Sequence, residues 1–322
     1  MTRRVVITGL GAITGAGTGL DALWDAACEG RSAVERIDTF DPSGFDCQVA
    51  STVHEFKVNK IVPKHYRKAT KVMARDIELA VAAADLAVRD AGLVTPGVDP
   101  EGERTYPGGR SGAHIGAGLI AADIDELTSA LAESTDDDGN FDMHKWGREG
   151  MNNLTPLWLL KYLPNMLACH VTIIHDSQGP SNTITCSEAS SGLSIGESMR
   201  VIQRDAADMC FCGGAESKMN PMAYLRQQLA GRLTASHNDE PAKAVRPFDE
   251  SADGSVVGEG GGILVVEAME TAEQRGARVY AELVGFGAGH SIYPEGHGLE
   301  PDPEGKGIEN ELDIDYVTAR SD

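Results

Sequence analysis

The alternation of apolar and polar positions divides the chain into short β-branched runs and longer stretches of helical spacing. Val5-Val6-Ile7-Thr8 is a β-branched run that stops at Gly9, and Leu20 to Cys28 carries the spacing of an amphipathic helix. Arg75 to Ala91 is an alanine-rich amphipathic helix with Gly92 as its stop signal. Thr95 to Gly112, rich in Pro and Gly, predicts a surface loop, and His114 to Gly118 a buried strand. Thr135 to Asn140 reads as a solvated loop tip. Thr155 to His170 is apolar and predicts a helix interrupted at Pro164. Beyond the Gly179-Pro180 turn, Ser181 to Ser187 reads as a polar strand and Ala189 to Arg204 as a helix of small residues. Asp208 to Cys212 then reads as a buried strand closed by Gly213 and Gly214. Two more strands, Gly262 to Glu267 and Val279 to Gly285, flank a helix from Ala268 to Arg275. Strands alternating with helices imply an α/β layered fold.

Composition narrows the class. At 322 residues the chain can bury one large core or two moderate ones. No apolar run reaches the ~20 residues that span a bilayer, and the N-terminus lacks the long apolar segment of a signal peptide. These features predict a cytoplasmic protein. The net charge of −21 speaks against a nucleic-acid surface, which needs a basic face. The six cysteines are scattered, unlike those of a small disulfide scaffold. Cys210-Phe211-Cys212 places two thiols on one face of a buried strand, where core packing is the expected role rather than a metal site. The glycine segment Gly9 to Gly15 is spaced G-x-G-x-x-x-G, not as a dinucleotide fingerprint, and reads as tight strand-to-helix packing. No metal and no cofactor is expected.

Six separated motifs occur in a fixed order. They are Arg4-Val-Val-Ile-Thr-Gly-Leu-Gly11, Gly213-Gly-Ala-Glu216, Arg246-Pro-Phe-Asp249, Asp253-Gly254, Val257-Gly-Glu-Gly-Gly-Gly262 and Tyr280-Ala-Glu-Leu-Val-Gly-Phe-Gly287, and the stretch Thr185-Cys-Ser-Glu-Ala-Ser-Ser-Gly192 lies between the first two. In this order they resemble the N-terminal half of the β-ketoacyl-acyl-carrier-protein synthases. The resemblance implies a thiolase-like layered fold, a mixed sheet with helices on both faces, with the second half largely missing. It divides the chain into a synthase-like domain, 1–290, and an irregular tail, 291–322. In that family a cysteine sits at a strand-to-helix turn, where free N–H groups and the helix dipole favour a thiolate and can hold an oxyanion. Gapless counts from Gly179-Pro180 and from Ile195-Gly196 both place Glu188 at that position; a gap on either side would place Ala189 there. Neither is a nucleophilic thiol, so the resemblance implies loss of the acyl-thioester step. Cys186 lies two residues earlier, on the strand side of the turn. A helix N-cap carboxylate is the plain alternative for Glu188.

By the same resemblance, Leu119 and Trp158 are expected to line an acyl-sized apolar pocket near Glu188. Lys64, Arg67 and Lys68 match basic positions that grip an acidic acyl carrier protein. They lie in a 19-residue segment, Lys57 to Arg75, that holds seven Lys and Arg and no Asp or Glu. The family's second half holds two catalytic histidines. Arg320 stands at one such place, and His290 and His297 match neither. Three readings follow: an active enzyme of the family, as an acyltransferase or malonyl decarboxylase; a condensation-incompetent partner subunit pairing as a homodimer or with a full-length synthase; and a truncated, non-functional product. The partner subunit of fatty-acid or polyketide synthesis is favoured, with acyl carrier protein as a further partner.

Overall fold

The computed structural model describes residues 2–54, 56–289 and the backbone of 319–320. In chain order, β1 (Val5–Thr14) and β2 (Gly17–Thr18) lead into α1 (Leu20–Glu29). Strands β3 (Glu35–Arg36) and β4 (Val49–Ser51) precede α2 (Arg75–Asp90) and β5 (Ser111–Gly116). Helices α3 (Ile124–Glu133), α4 (Met143–Arg148) and α5 (Met166–His175) come before β6 (Ser181–Ile184). Next stand α6 (Ser190–Gln203), β7 (Met209–Glu216) and α7 (Pro221–Leu229). The remaining elements are β8 (Val257–Gly258), β9 (Gly260–Ala268), α8 (Met269–Gln274), β10 (Ala281–Leu283) and β11 (Ala319–Arg320).

The main sheet runs β11-β10-β1-β9-β7-β5-β6, with β2 paired to β1; a small sheet runs β3-β4-β8. Strands β5, β6 and β7 are parallel to one another, and β9 and β10 join antiparallel. This is the expected mixed sheet with helices on both faces. Its period-2 alternation is clearest in β7. Met209 and Phe211 point into the core formed with α2 and α5, whereas Cys210 and Cys212 point into the core under α6. Burial pushes both thiols well above the ordinary range.

Glycines set the spacing between sheet and helix. Strand β1 does not stop at Gly9 but runs on to Thr14. A Cβ on Gly9 would come within 2.3 Å of the Ala87 carbonyl oxygen, and one on Gly11 within 2.0 Å of that of Ala83. The alanine face of α2 therefore lies directly on the strand, as the packing reading of this segment anticipates. Likewise β7 continues through Gly213 and Gly214 to Glu216. A side chain on Gly213 would meet the Gly262 carbonyl oxygen of β9 at 2.1 Å.

The stretch expected as a helix interrupted at Pro164 breaks there, into a 3₁₀ turn, Trp158–Tyr162, and α5. Leu163 stands between them with φ −87° and ψ 122°. Pro164 disfavours the helical region for the residue before it, so a continuous helix cannot form. The small sheet has its own core, where Tyr224 of α7 meets Phe40 and Phe45 edge-on, with centroids 5.6 and 5.2 Å apart.

Two buried carboxylates tie these parts together. Glu267 of β9 accepts hydrogen bonds from Thr8 and Tyr106 and a bidentate pair from Arg275 at 2.8 and 2.6 Å. Glu259 accepts from the Val53 amide at 2.9 Å, Ser217 Oγ at 2.8 Å and Arg75 Nη2 at 2.9 Å. The second set links the small sheet to α2 and to the end of β7.

Candidate functional site

The parallel strands β5, β6 and β7 end on one side of the sheet, the side where open α/β sheets place ligands. The chain leaves β6 after Ile184 and turns into α6 through a single 3₁₀ turn, Ser187–Ala189. Ser187 has φ +48°, a left-handed conformation uncommon outside glycine. Local hydrogen bonds fix it: Ser190 Oγ donates to the Ser187 carbonyl at 2.7 Å and accepts from the Cys186 amide at 2.8 Å. Deeper down, Ser194 Oγ donates to the Gly213 carbonyl at 2.8 Å and accepts from the Gly213 amide at 2.9 Å, clamping α6 to β7. Gly116 lies under the first turn of α6, where a Cβ would sit 2.6 Å from the Ser191 nitrogen.

This turn displays Glu188 at the N-terminal end of α6. Its side chain is 78% exposed, and Oε1 accepts from Arg232 Nη1 at 2.7 Å. Glu188 borders a cavity of about 420 Å³ whose floor is made of small residues, among them Gly116, Gly214, Ala215 and Gly261. The second carboxylate at its edge is Glu216, which pairs with Lys218. Cys186 is exposed and borders a different, apolar cavity of about 380 Å³ between α6 and Phe286. The turn thus directs the Glu188 carboxylate and the Cys186 thiol to separate spaces.

A third cavity, of about 540 Å³, lies between α2 and the small sheet. Asp76, Arg75, Glu78, Glu259, Lys161 and Thr52 are among its lining residues. Asp76 is 3% exposed and accepts from the Ser217 amide at 3.0 Å. Burial raises its pKa to about 7, against the lowering effect of that hydrogen bond.

The other expected site residues take the following places. Leu119 follows Gly118, which lines the Glu188 cavity, and is 68% exposed. Trp158 packs on the main core beside Tyr162, with ring centroids 5.6 Å apart. Lys64, Arg67 and Lys68 are exposed on a nine-residue 3₁₀ helix, Lys64–Val72. Its three-residue repeat turns Tyr66, Ala69 and Val72 inward, which leaves the basic side chains on the two outer rows. Arg75 leaves that patch, because Glu259 and the Val53 carbonyl draw it inward. His290 and His297 lie outside the described residues. Arg232 and Asp76 escaped sequence reasoning. A carboxylate between Met73 and Ile77 on an otherwise apolar helix face was the signal for Asp76; Arg232 sits in a loop without pattern.

Comparison with known proteins fits this architecture. The family description "Beta-ketoacyl synthase, N-terminal domain" matches residues 2–272. The chain is 32% identical over 307 residues to 3-oxoacyl-[acyl-carrier-protein] synthase 2 of Synechocystis sp., covering 95% of this chain and 66% of that protein. It is 32% identical over 320 residues to the mitochondrial 3-oxoacyl-[acyl-carrier-protein] synthase of Arabidopsis thaliana, covering 95% and 64%. The chain therefore spans just under two thirds of these relatives. Among solved structures it resembles the ishigamide ketosynthase/chain length factor, with a TM-score of 0.73 at 28% identity over 97% of this chain and 70% of that one. A β-ketoacyl synthase from Burkholderia phymatum gives 0.75 at 28% identity, with the same coverage. This chain belongs to the β-ketoacyl synthase family and carries its N-terminal domain.

Proposed function

We propose that the chain is a condensation-incompetent partner subunit in fatty-acid or polyketide synthesis, working in the cytoplasm beside a synthase and an acyl carrier protein. The observation that carries this reading is Glu188 at the turn into α6, paired with Arg232 at 2.7 Å. In this reading Glu188 occupies the family's nucleophile position. A carboxylate at that position carries no acyl thioester. Residues 1–290 form the functional unit. The edge of β6 away from β5, which has no strand partner among the described residues, supports association with a homologous subunit or a second copy. The likeness to a ketosynthase/chain length factor pair supports the same division of labour. Leu119 and Trp158 belong to the acyl path in this reading, Trp158 from the side facing the partner.

Glu188→Cys tests the position directly. A thiol there meets the dipole and free N–H groups of α6 and the Arg232 cation, all of which favour thiolate. The variant should gain a mass adduct from an acyl thioester at residue 188, at least tenfold faster than at Cys186. Reaction at Cys186 alone would move the nucleophile position elsewhere.

Carrier docking is assigned to Lys64, Arg67 and Lys68. An acidic carrier should bind at low salt and weaken steeply as salt rises, since exposed charges are screened within about 8–10 Å. Lys64→Glu with Arg67→Glu should abolish the salt-sensitive part, measured by titration calorimetry. Equal affinity for native and variant chains at both salt levels would refute the patch.

A further inference from the structure

We propose that Tyr66 is the positioning residue of the basic segment: its hydrogen bond to His170 fixes the 3₁₀ helix Lys64–Val72 with both basic rows turned outward. The proposal rests on the carrier-docking assignment and adds the contact that gives the patch its shape.

The charges are the first argument. Lys57, Lys60, Lys64, Arg67, Lys68 and Lys71 are exposed, and no acid lies among them in sequence. None of them forms an ion pair among the described residues. In a 3₁₀ helix, residues three apart lie one above the other. Lys64 therefore stands over Arg67, and Lys68 over Lys71, so like charges stack along both outer rows. Such pairs work against the helix. Its own bonds do little to resist them, because 3₁₀ runs beyond three or four residues are uncommon and their hydrogen bonds poorly aligned. No side chain caps the first turn at Pro63. The helix is thus held from beneath.

The contact beneath is the second argument. Tyr66, Ala69 and Val72 form the inward row, and Tyr66 packs on the main core with Ile61. Apolar packing is non-directional and leaves the helix free to roll. A roll by one row would carry Lys64 and Arg67, or Lys68 and Lys71, toward the core. The hydrogen bond is directional and bars that roll. The Tyr66 hydroxyl lies 2.7 Å from Nδ1 of His170, with the rings edge-on and their centroids 5.8 Å apart. His170 is 3% exposed, and burial lowers its pKa to about 4, so the imidazole is neutral at pH 7. Its Nε2 is buried without a partner, which leaves Tyr66 as the one hydrogen-bond partner of the ring among the described residues. Moving the hydroxyl away strands a buried polar ring, and that penalty keeps the helix in place.

The test titrates an apo acyl carrier protein against the full chain at low salt by calorimetry, beside poly-glutamate as a probe that senses charge but not shape. Tyr66→Phe removes the hydroxyl and keeps the ring and every charge. It should weaken carrier binding about fivefold or more and leave poly-glutamate binding within about twofold. His170→Leu should match it, and the double variant should lose no more than either single one, since both remove the same bond. His170→Gln, which keeps an acceptor for the hydroxyl, should retain carrier affinity within about twofold of the native chain. Equal carrier affinity for the native chain and Tyr66→Phe overturns the proposal while the docking patch stands. Additive losses in the double variant overturn it too, as do equal losses toward both probes. A native chain that binds the carrier at no salt level overturns the docking assignment and this proposal together.

Discussion

Arg275→Ala is expected to lower the unfolding free energy by about 3–5 kcal/mol. Glu267 has a side chain with no exposed surface, and Arg275 supplies its only cation among the described residues, through two hydrogen bonds at 2.8 and 2.6 Å. Thr8 and Tyr106 remain as donors, but a neutral donor does not offset a buried negative charge. The destabilisation is thus the cost of an uncompensated ion rather than the worth of one contact. Glu267 also sits on the strand next to β1, so the whole sheet centre feels the change. Arg204→Ala is the control. Its pair with Glu197 is exposed on both sides, and its loss should cost less than about 1 kcal/mol. Urea titration of the two variants separates them: the midpoint should shift strongly for Arg275→Ala and hardly at all for Arg204→Ala, with unchanged slope in both.

The second large effect is on acid stability. His170 and His175 are buried in α5, and burial lowers their pKa values to about 4 and about 3. Unfolded histidine binds its proton near pH 6.5, so below that point the unfolded chain holds two protons that the folded chain refuses. Their stabilising contribution is full above about pH 6.5 and is lost as pH falls toward 4 and 3. Asp76 has the opposite sign. Its folded pKa of about 7 lies above the ordinary carboxyl value, so its contribution is full below about pH 4 and is lost as pH rises through 7. Near pH 5 the two histidines outweigh this carboxyl, and His114, whose pKa burial also lowers, adds to them, so stability should fall as pH falls. Melting temperatures from pH 4 to 9 should peak near neutrality. Asp76→Asn should be more stable than the native chain above pH 7 and no more stable at pH 4.5. A stability that rises as pH falls from 6 to 5 would show that the histidines are protonated in the folded state.

Legibility differed by element for physical reasons. The β7 run of Met, Cys, Phe and Cys was readable because both faces of a central strand are buried, and so short a continuous apolar run between turn signals fits little besides a core strand. The α2 helix was equally plain, since its alanines, its stop signal and its length all agree. Helices α3, α4 and α7 went unread. They are short, their exposed faces include Ile124, Met143 and Leu229, and their start signals, Asp123, Asp142 and Asn220, act only through local capping geometry. At the site, the count along the chain located the turn at Glu188 because strand and helix flank it closely. Its partner Arg232 is 44 residues away. The 3₁₀ form of the basic segment was also hidden, since Lys64, Arg67, Lys68 and Lys71 fit a spacing of three or four alike.

The pairing of β1 bears on how the molecule is made. Both long-range neighbours of this strand are distant in sequence: Val5 stands opposite Ala268 on one side and Leu283 on the other. A ribosome adding about 5–20 residues per second takes on the order of ten seconds to a minute to reach them. Until then the first strand meets β2 and the helices α1, α2 and α6 but lacks both long-range strand partners, and its outer edges are open to other chains. Contacts of such separation also slow folding after release. Yield on overexpression should therefore depend more on translation speed and chaperone supply than on the stability of the finished sheet.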